Sequence, residues 1–495
     1  MLDRRSFIRT SALVLGAMLL LKLLGLVEKL VMASRFGVGA TADAALVGAT
    51  GALLLGYLLQ DVVSSALIPV LVNRDRDGQA RTTGTLFTII LLVLLVIAAL
   101  TWWQGRALLQ LLAPGFDSET QSLALYVLRS ALIGLPALGV SAVLGAHLNA
   151  NGHYLQPALA ELMLRIGPVL GLLLVGGIEG LAFGLAAGAL LRLACLIRPG
   201  VTPRPRCDLA DDGLRRSLDL VWPLLLTSII SIQLFAMIEA AIASTVGIGV
   251  VSALAYARRI ADVPIFLIYQ VSARVVLPTL AGLAIDRVRL QEALKRASEL
   301  TLLLLLPPTV MGMLLAESVV RLIYGRGAFD DAAVAATTTA FWALLPGLPA
   351  LGLSVIVARF AYALKDTRGP SLIRLGGVIL HVALALALRP WGIAGVAWSS
   401  TITLWIEALA LVLLVASRLG IRWDILRAGW RSGVRLSISA GLMLAVAMQL
   451  NALLPPVSGV LPLVARLAAI SSAGLVVYTG SLLLFGVRLR FAGST

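Results

Sequence analysis

Ala33-Ser34-Arg35-Phe36-Gly37-Val38-Gly39 recurs downstream as Ala243-Ser244-Thr245-Val246-Gly247-Ile248-Gly249, and this pair of segments decides the architecture. Further matches follow in the same order and at nearly the same separation. Leu135-Pro136-Ala137-Leu138-Gly139 returns as Leu348-Pro349-Ala350-Leu351-Gly352, Pro157 as Pro370, and Gly177-Ile178-Glu179-Gly180 as Gly392-Ile393-Ala394-Gly395. One short apolar match carries little weight. Several in register, each at a helix end, mark an internal duplication.

The duplicated segments lie among apolar stretches of about 20 residues, the length that spans a hydrocarbon core. Fourteen such stretches can be read, near 11–33, 42–72, 83–104, 122–149, 157–176, 178–197, 217–245, 250–281, 298–316, 334–363, 371–388, 391–416, 432–453 and 462–486. Each copy covers six, an even number, so both copies enter the membrane in the same direction and are related by an axis along the membrane normal. The expected fold is therefore an all-α polytopic membrane protein with about 14 transmembrane helices. Residues 1–207 form an N-lobe (helices 1–6), 208–416 a C-lobe (helices 7–12) and 417–495 two additional C-terminal helices. Parallel-related six-helix lobes are the plan of an alternating-access transporter, with substrate expected between the lobes near the midplane. The last two spans have no copy and are expected to form a lipid-facing groove or a partner surface.

Composition agrees. The chain has 495 residues with only 13% charged and 59% hydrophobic, and its mean hydropathy is +0.98. A soluble surface of this size could not be covered by so few polar groups. The net charge of +15 follows the topology. Loops on one side receive Arg4, Arg5, Arg9, Arg74, Arg76, Arg81, Arg198, Arg204, Arg206, Arg215, Arg216, Arg287, Arg289, Lys295 and Arg296. The same side receives Lys365, Arg368, Arg418, Arg422, Arg427, Arg431, Arg488 and Arg490, whereas the opposite loops hold only Arg35, Arg106, Arg321, Arg326 and Arg389. The positive-inside rule then puts both termini in the cytoplasm, and the basic excess needs no nucleic acid to explain it. Arg4-Arg5-Ser6-Phe7-Ile8-Arg9 resembles a twin-arginine export signal, but the apolar run continues into Lys22, Glu28 and Lys29 without a small-residue cleavage site, as a first span does. Cys195 and Cys207 offer no disulfide framework, and His147, His153 and His381 are too scattered for a metal cluster.

Charge inside a span costs about 2.5–3.5 kcal/mol on insertion scales, so each such residue is a functional candidate. Lys22 and Lys29 lie two helical turns apart on one face of the first span. Arg258 and Arg259 precede Asp262 by four and three residues, which neutralises one cation in part and leaves one over. Glu161 and Arg165 have the same i, i+4 spacing and read as an intrahelical pair. Asp43, Asp61, Glu239 and Glu407 are acidic candidates for a gate or a coupling proton or cation, while Arg129, Arg192, Arg274, Arg359 and Arg374 near span ends are explained by snorkelling. Several fixed cations in a low-dielectric cavity suit a polyanionic headgroup such as a diphosphate. No Gly-x-x-x-x-Gly-Lys-Ser/Thr loop occurs, so no nucleotide or other cofactor is expected, and energy would come from the membrane potential or a monovalent ion. A membrane-embedded glycosyltransferase or ligase would need a large extramembrane loop with catalytic groups, and the outer loops are short.

Leu24-Gly25-Leu26 through Phe36-Gly37-Val38-Gly39, Ala42-Asp43-Ala44, Ile68-Pro69-Val70-Leu71, Ala113-Pro114-Gly115-Phe116, Gly145-Ala146-His147-Leu148-Asn149 and Pro157-Ala158 resemble the MviN/MurJ lipid II flippases. So do Tyr256-Ala257-Arg258-Arg259-Ile260, Val276-Leu277-Pro278, Tyr324-Gly325-Arg326-Gly327-Ala328-Phe329 and Tyr362-Ala363-Leu364-Lys365-Asp366-Thr367-Arg368-Gly369-Pro370. The resemblance covers nearly the whole chain. It implies the multidrug/oligosaccharidyl-lipid/polysaccharide exporter fold and a flippase that moves an undecaprenyl-diphosphate-linked peptidoglycan precursor, lipid II, across the bacterial inner membrane by alternating access. It implies membrane lipids and cell-wall synthesis proteins as partners. Lys22 stands where the family has a cavity arginine, Arg259 matches another, and Asp43 and Asp366 retain family acidic positions. The chain departs at Glu28-Lys29, where the family has Arg-Asp, at Leu54-Leu55-Gly56-Tyr57, where it has a basic pair, and at Arg165, where it has Asn. Lys22 and Arg259, with Arg258, Lys29 and Arg165, are the expected substrate-binding residues, and Asp43, Asp61, Asp262 and Glu239 the expected gate or ion-coupling residues. The departures keep two alternatives open: another lipid-linked oligosaccharide or exopolysaccharide unit as substrate, or a non-transporting paralogue acting as scaffold.

Overall fold

The computed structural model describes residues 4–198, 202–228, 234–271, 287–420, 423–455, 457 and 459–486, and among these every long element is a helix. In the first half they are α1 (Arg4–Phe36), α2 (Ala40–Val72), α3 (Arg76–Leu112), α4 (Ser118–Leu132), α5 (Leu135–Ala150), α6 (Leu155–Leu174), α7 (Gly177–Leu196), α8 (Asp212–Ser228) and α9 (Leu234–Ser244). The second half holds α10 (Val250–Val271), α11 (Arg287–Leu314), α12 (Ala316–Tyr324), α13 (Asp331–Leu344), α14 (Gly347–Ala363), α15 (Arg368–Ala387), α16 (Gly392–Leu419), α17 (Trp423–Leu453) and α18 (Val460–Leu484).

Burial within α3 shows which solvent the helices expect. Thr82, Thr83 and Thr85 are buried, whereas Leu92, Val93, Leu95, Val96 and Leu100 point outward. In water that arrangement would be unfavourable; in hydrocarbon it leaves the apolar middle against lipid and the hydroxyls against protein. Nine described helices are long and apolar enough to cross a membrane, and eleven spans result when each bent pair is taken as one. The remaining three expected spans coincide with α1, with α8 and α9, and with α10. Residues 229–233 and 272–286 lie outside the described residues, and with them Arg274 and the Val276-Leu277-Pro278 motif.

Two spans read as continuous are broken. α4 and α5 meet at 41°, and α13 and α14 at 45°. Both breaks fall at the repeated Leu-Pro-Ala-Leu-Gly motif. Pro136 occupies the first turn of α5, and Pro346 caps α14 with Pro349 in its first turn. Proline lacks an N–H and fits the first turn of a helix, so it starts a new helix where hydropathy alone sees one long stretch.

The chain divides into two compact units: Met1–Ser252 with Arg326–Phe329, and Ala253–Gly325 with Asp330–Thr495. Within the first unit α6 and α7 pack through glycine. A Cβ at Gly167 or Gly171 would meet the backbone of Gly180, Gly184 and Gly188, and Gly188 faces the carbonyl of Met163. Lipid tails are as apolar as leucine, so membrane helices associate by this close backbone packing rather than by hiding apolar surface. Ahead of α8, Asp211 accepts hydrogen bonds from Arg74 at 2.7 Å, Thr82 at 2.6 Å and the Leu214 N–H at 3.0 Å. Burial works against the charge of Asp211, but these donors outweigh it and hold the carboxyl below the ordinary range. In the second unit, Ile265, Leu290, Leu305, Ile356, Phe360, Leu411 and Val415 form one core. A second core holds α17 and α18 on α11 through Met311, Leu436, Met443, Ile470 and Tyr478.

Candidate functional site

The first unit concentrates charge where α1 meets α6. Glu28 is 4% exposed. Its Oε1 lies 3.1 Å from Lys29 Nζ, and its Oε2 accepts from Arg165 at 2.8 Å. A carboxylate this far from water needs such partners, because an unpaired buried charge would be driven out or neutralised. Arg165 stands near the middle of the 20-residue α6, about 15 Å from its first residue at the rise of an α-helix, and so is well inside the membrane. Lys22, on the same helix as Glu28, is exposed.

Arg165 and Glu161 do not pair with each other. Glu161 turns instead to Gln60 of α2, which donates to it, and to Arg192 of α7 at 3.8 Å. Gln60 Oε1 in turn accepts from Arg192 at 2.7 Å. Arg192 is 4% exposed, so it does not snorkel: its guanidinium is held inside by one amide and one carboxylate. Arg129, by contrast, is half-buried and lies 5.5 Å over the Trp102 ring. Four helices thus contribute to two adjoining clusters, with Lys29, Arg165 and Arg192 facing Glu28 and Glu161.

Asp43 lies in the first turn of α2 and is 1% exposed. Its Oδ2 accepts the N–H of Gly249 at 2.6 Å and its Oδ1 the N–H of Ser252 at 2.7 Å, so it caps the start of α10. That start follows the second copy of the duplicated segment, and Asp43 follows the first. The two copies touch here: a Cβ at Gly249, whose φ is +85°, would press on Val38. Two neighbouring loops bind crosswise. Gly115, in the first repeat, donates its N–H to Ser244 Oγ at 3.1 Å, and Ala328, in the second, donates its N–H to the Ser34 carbonyl at 2.8 Å. Gly327, at φ +65°, sits against the Ser34 backbone where no side chain fits. Glu239 is buried on α9. Asp61 lies on α2, and its side chain falls outside the described residues.

In the second unit, Arg258 and Arg259 are half-buried on α10 and Asp262 is exposed. Arg258 donates to Ser400 Oγ of α16 at 3.3 Å. Glu407 of α16 lies 3.5 Å from Arg374 of α15, which accounts for that acidic candidate as a helix–helix ion pair. His381 is fully buried, with Nδ1 3.3 Å from Ser399 Oγ. Asp366 caps α15: it accepts the Gly369 N–H at 2.8 Å and pairs with Arg418 at 3.1 Å. That N–H does most to hold the Asp366 carboxyl below the ordinary range, partial desolvation opposes it, and the Arg418 charge adds to the lowering.

The structure therefore brings Lys29 and Arg165 to one carboxylate. Glu28, Gln60 and Arg192 carry the two clusters, although sequence alone does not single them out as site residues. Two intramembrane charges within helical reach suggest a pair on one helix, but the partners actually used lie on other helices. Among the described residues no group of three or more His, Cys, Asp or Glu could hold a metal.

A family model described as lipid II flippase MurJ matches residues 32–468. A probable lipid II flippase MurJ of Rhizobium meliloti (strain 1021) is 29% identical over 436 residues, covering 82% of this chain and 80% of the relative. The corresponding protein of Vibrio cholerae serotype O1 is 26% identical over an alignment of 510 residues, covering 97% and 96%. A solved structure described as lipid II flippase MurJ in an inward closed conformation superimposes with a TM-score of 0.80 at 20% identity, covering 96% of this chain and 100% of that one. An inward-facing multidrug resistance MATE transporter of the MOP superfamily matches with a TM-score of 0.66 at 16% identity over 81% of this chain and 94% of that one.

Proposed function

Because the chain belongs to the lipid II flippase MurJ family, a family of membrane transporters rather than enzymes, we propose that it moves lipid II across the bacterial inner membrane by alternating access. The family match across residues 32–468 carries this reading. The charges support it: a diphosphate needs cations held away from water, where charge-assisted hydrogen bonds are strongest. Lys22 and Arg259 hold the diphosphate, assisted by Arg258, Lys29 and Arg165. Asp43 serves as a gate, since its carboxylate must release the Gly249 and Ser252 N–H groups for that turn to leave α2. Asp61, Asp262 and Glu239 are the remaining gate or ion-coupling residues. Both termini are cytoplasmic by the positive-inside rule. The lobes are 1–207 and 208–416, with 417–495 appended, and cell-wall synthesis proteins are the expected partners. The membrane potential or a monovalent ion supplies the energy.

One observation favours a second reading, a different lipid-linked oligosaccharide. Glu28, Lys29 and Arg165, which pair with one another, all stand at positions where the chain departs from the family pattern, so the cluster they form is not the family's own. The decisive experiment is complementation of a strain depleted of its lipid II flippase. Rescue is expected; failure by a normally inserted protein overturns lipid II as substrate. In the same strain Arg259→Ala is expected to insert but not to rescue, and full activity of that variant would remove Arg259 from the binding site.

A further inference from the structure

The Glu28 cluster is built unevenly. The Glu28 side chain is 6% exposed, against 21% for Lys29 and 32% for Arg165. The anion lies at the closed end and the two cations at the open side. Each carboxylate oxygen takes one cation, so a single buried group keeps a lysine of α1 and an arginine of α6 within reach of one another. Among the described residues Arg165 donates one hydrogen bond, to Glu28, and the hydrogen-bond partners of Lys29 are Glu28 and the Met32 sulfur at 3.8 Å. Guanidinium and ammonium groups carry five and three donors, so several donors remain for an external acceptor. The other acid on α6, Glu161, is engaged by Gln60 and Arg192 and does not cancel the surplus. Two cations on one carboxylate leave a charge of +1.

A purely structural ion pair would match charges one to one and bury both partners. This cluster does neither, and its half-buried members are the positive ones. Phosphate oxygens make the same demand on these donors as the carboxylate does. We propose that Glu28 is the positioning residue of a two-cation phosphate clamp: its buried carboxylate fixes Lys29 and Arg165, whose outward donors together receive one phosphate of a lipid-linked substrate. The proposal rests on the preceding reading that the substrate is phosphate-linked, and it adds a negative residue as part of an anion site.

The test uses the purified full-length protein in lipid nanodiscs, with farnesyl diphosphate as probe. Wild type is expected to bind saturably, and Lys29→Gln and Arg165→Gln each to weaken binding about tenfold, the loss of one charge-assisted contact. Glu28→Gln discriminates. It raises the local charge from +1 to +2, so simple electrostatics requires tighter binding; the clamp requires binding weaker by about tenfold, with partial recovery in Glu28→Asp. If Glu28→Gln binds as tightly as wild type or more so, the clamp is overturned. Should Glu28→Gln not fold, the exchange E28R with R165E keeps both the ion pair and the net charge. That variant is expected to fold yet lose the probe, because the carboxylate now stands at the open side, and undiminished binding overturns the proposal. A wild type that does not bind farnesyl diphosphate overturns the phosphate-linked substrate itself, whereas wild-type binding that is weakened in Lys29→Gln and Arg165→Gln but unchanged in Glu28→Gln overturns only the role of Glu28.

Discussion

Asp43 illustrates how much one buried carboxylate can hold. It satisfies two N–H groups of a helix start that would otherwise be buried without partners. Hydrogen bonds to a charged group contribute about 1.5–3 kcal/mol each. Asp43→Ala should therefore lower the thermal unfolding temperature of the purified protein clearly, and Asp43→Asn, which keeps one acceptor, should lower it less. An unchanged transition in the alanine variant would rule out the cap. Asp366 makes a pH-dependent counterpart. Its folded carboxyl titrates below the ordinary value of 3.8, so its contribution is complete above that value and is lost as the pH falls through the lower folded one. Hydrogen-exchange protection at the start of α15, taken relative to the intrinsic exchange rate at each pH, should fall in acid in wild type and stay constant over that range in Asp366→Asn. Equal acid sensitivity in both would point to another group. The charged residues themselves are visible in the sequence, but their partners are not. Helical periodicity relates residues three or four apart, whereas Glu28 meets Arg165 across 137 positions and Asp43 meets Ser252 across 209.

Elements are legible by hydropathy except where backbone chemistry intervenes. The repeated Leu-Pro-Ala-Leu-Gly is plain as a repeat, yet it also marks the two breaks of 41° and 45°, because proline begins a helix without interrupting an apolar run. The α6–α7 packing is equally present in the spacing of Gly180, Gly184 and Gly188, one helical turn apart, and only the pairing with Gly167 and Gly171 requires the structure. This packing also sets the chemistry, since α6 carries Glu161 and Arg165 and α7 carries Arg192. Gly184→Leu forces a side chain into backbone and should cost about 1–3 kcal/mol by overpacking, drawing Arg192 away from Glu161 as the helices separate. A melting curve on the variant, with cysteine cross-linking between α6 and α7, checks both. Wild-type stability with intact cross-linking would show that the helices do not need the glycines.

For the whole molecule, the duplication is the most informative feature of the sequence, because it leads to the expectation of paired lobes and of a transporter without any knowledge of tertiary packing. Charge indicates the topology and, in a small intramembrane remainder, the candidate site. What it does not indicate is the sign of the net interaction: Glu28 reads in sequence as a departure from an anion site, and its geometry makes it the group around which two cations are arranged. Substrate class is thus a property of the cluster rather than of any single charge in it.

The crosswise docking of the loops bears on how such a chain is made. The carbonyl of Ser34 is met by the N–H of Ala328, and the N–H of Gly115 by the hydroxyl of Ser244. A ribosome delivers Ser34 long before Ala328. Contacts so distant in sequence form late and slow the search for the native state. The turns around Ser34 and Gly115 therefore stay incomplete until Ala328 and Ser244 have been made, and neither copy of the duplicated segment, synthesised alone, carries all the groups that satisfy it.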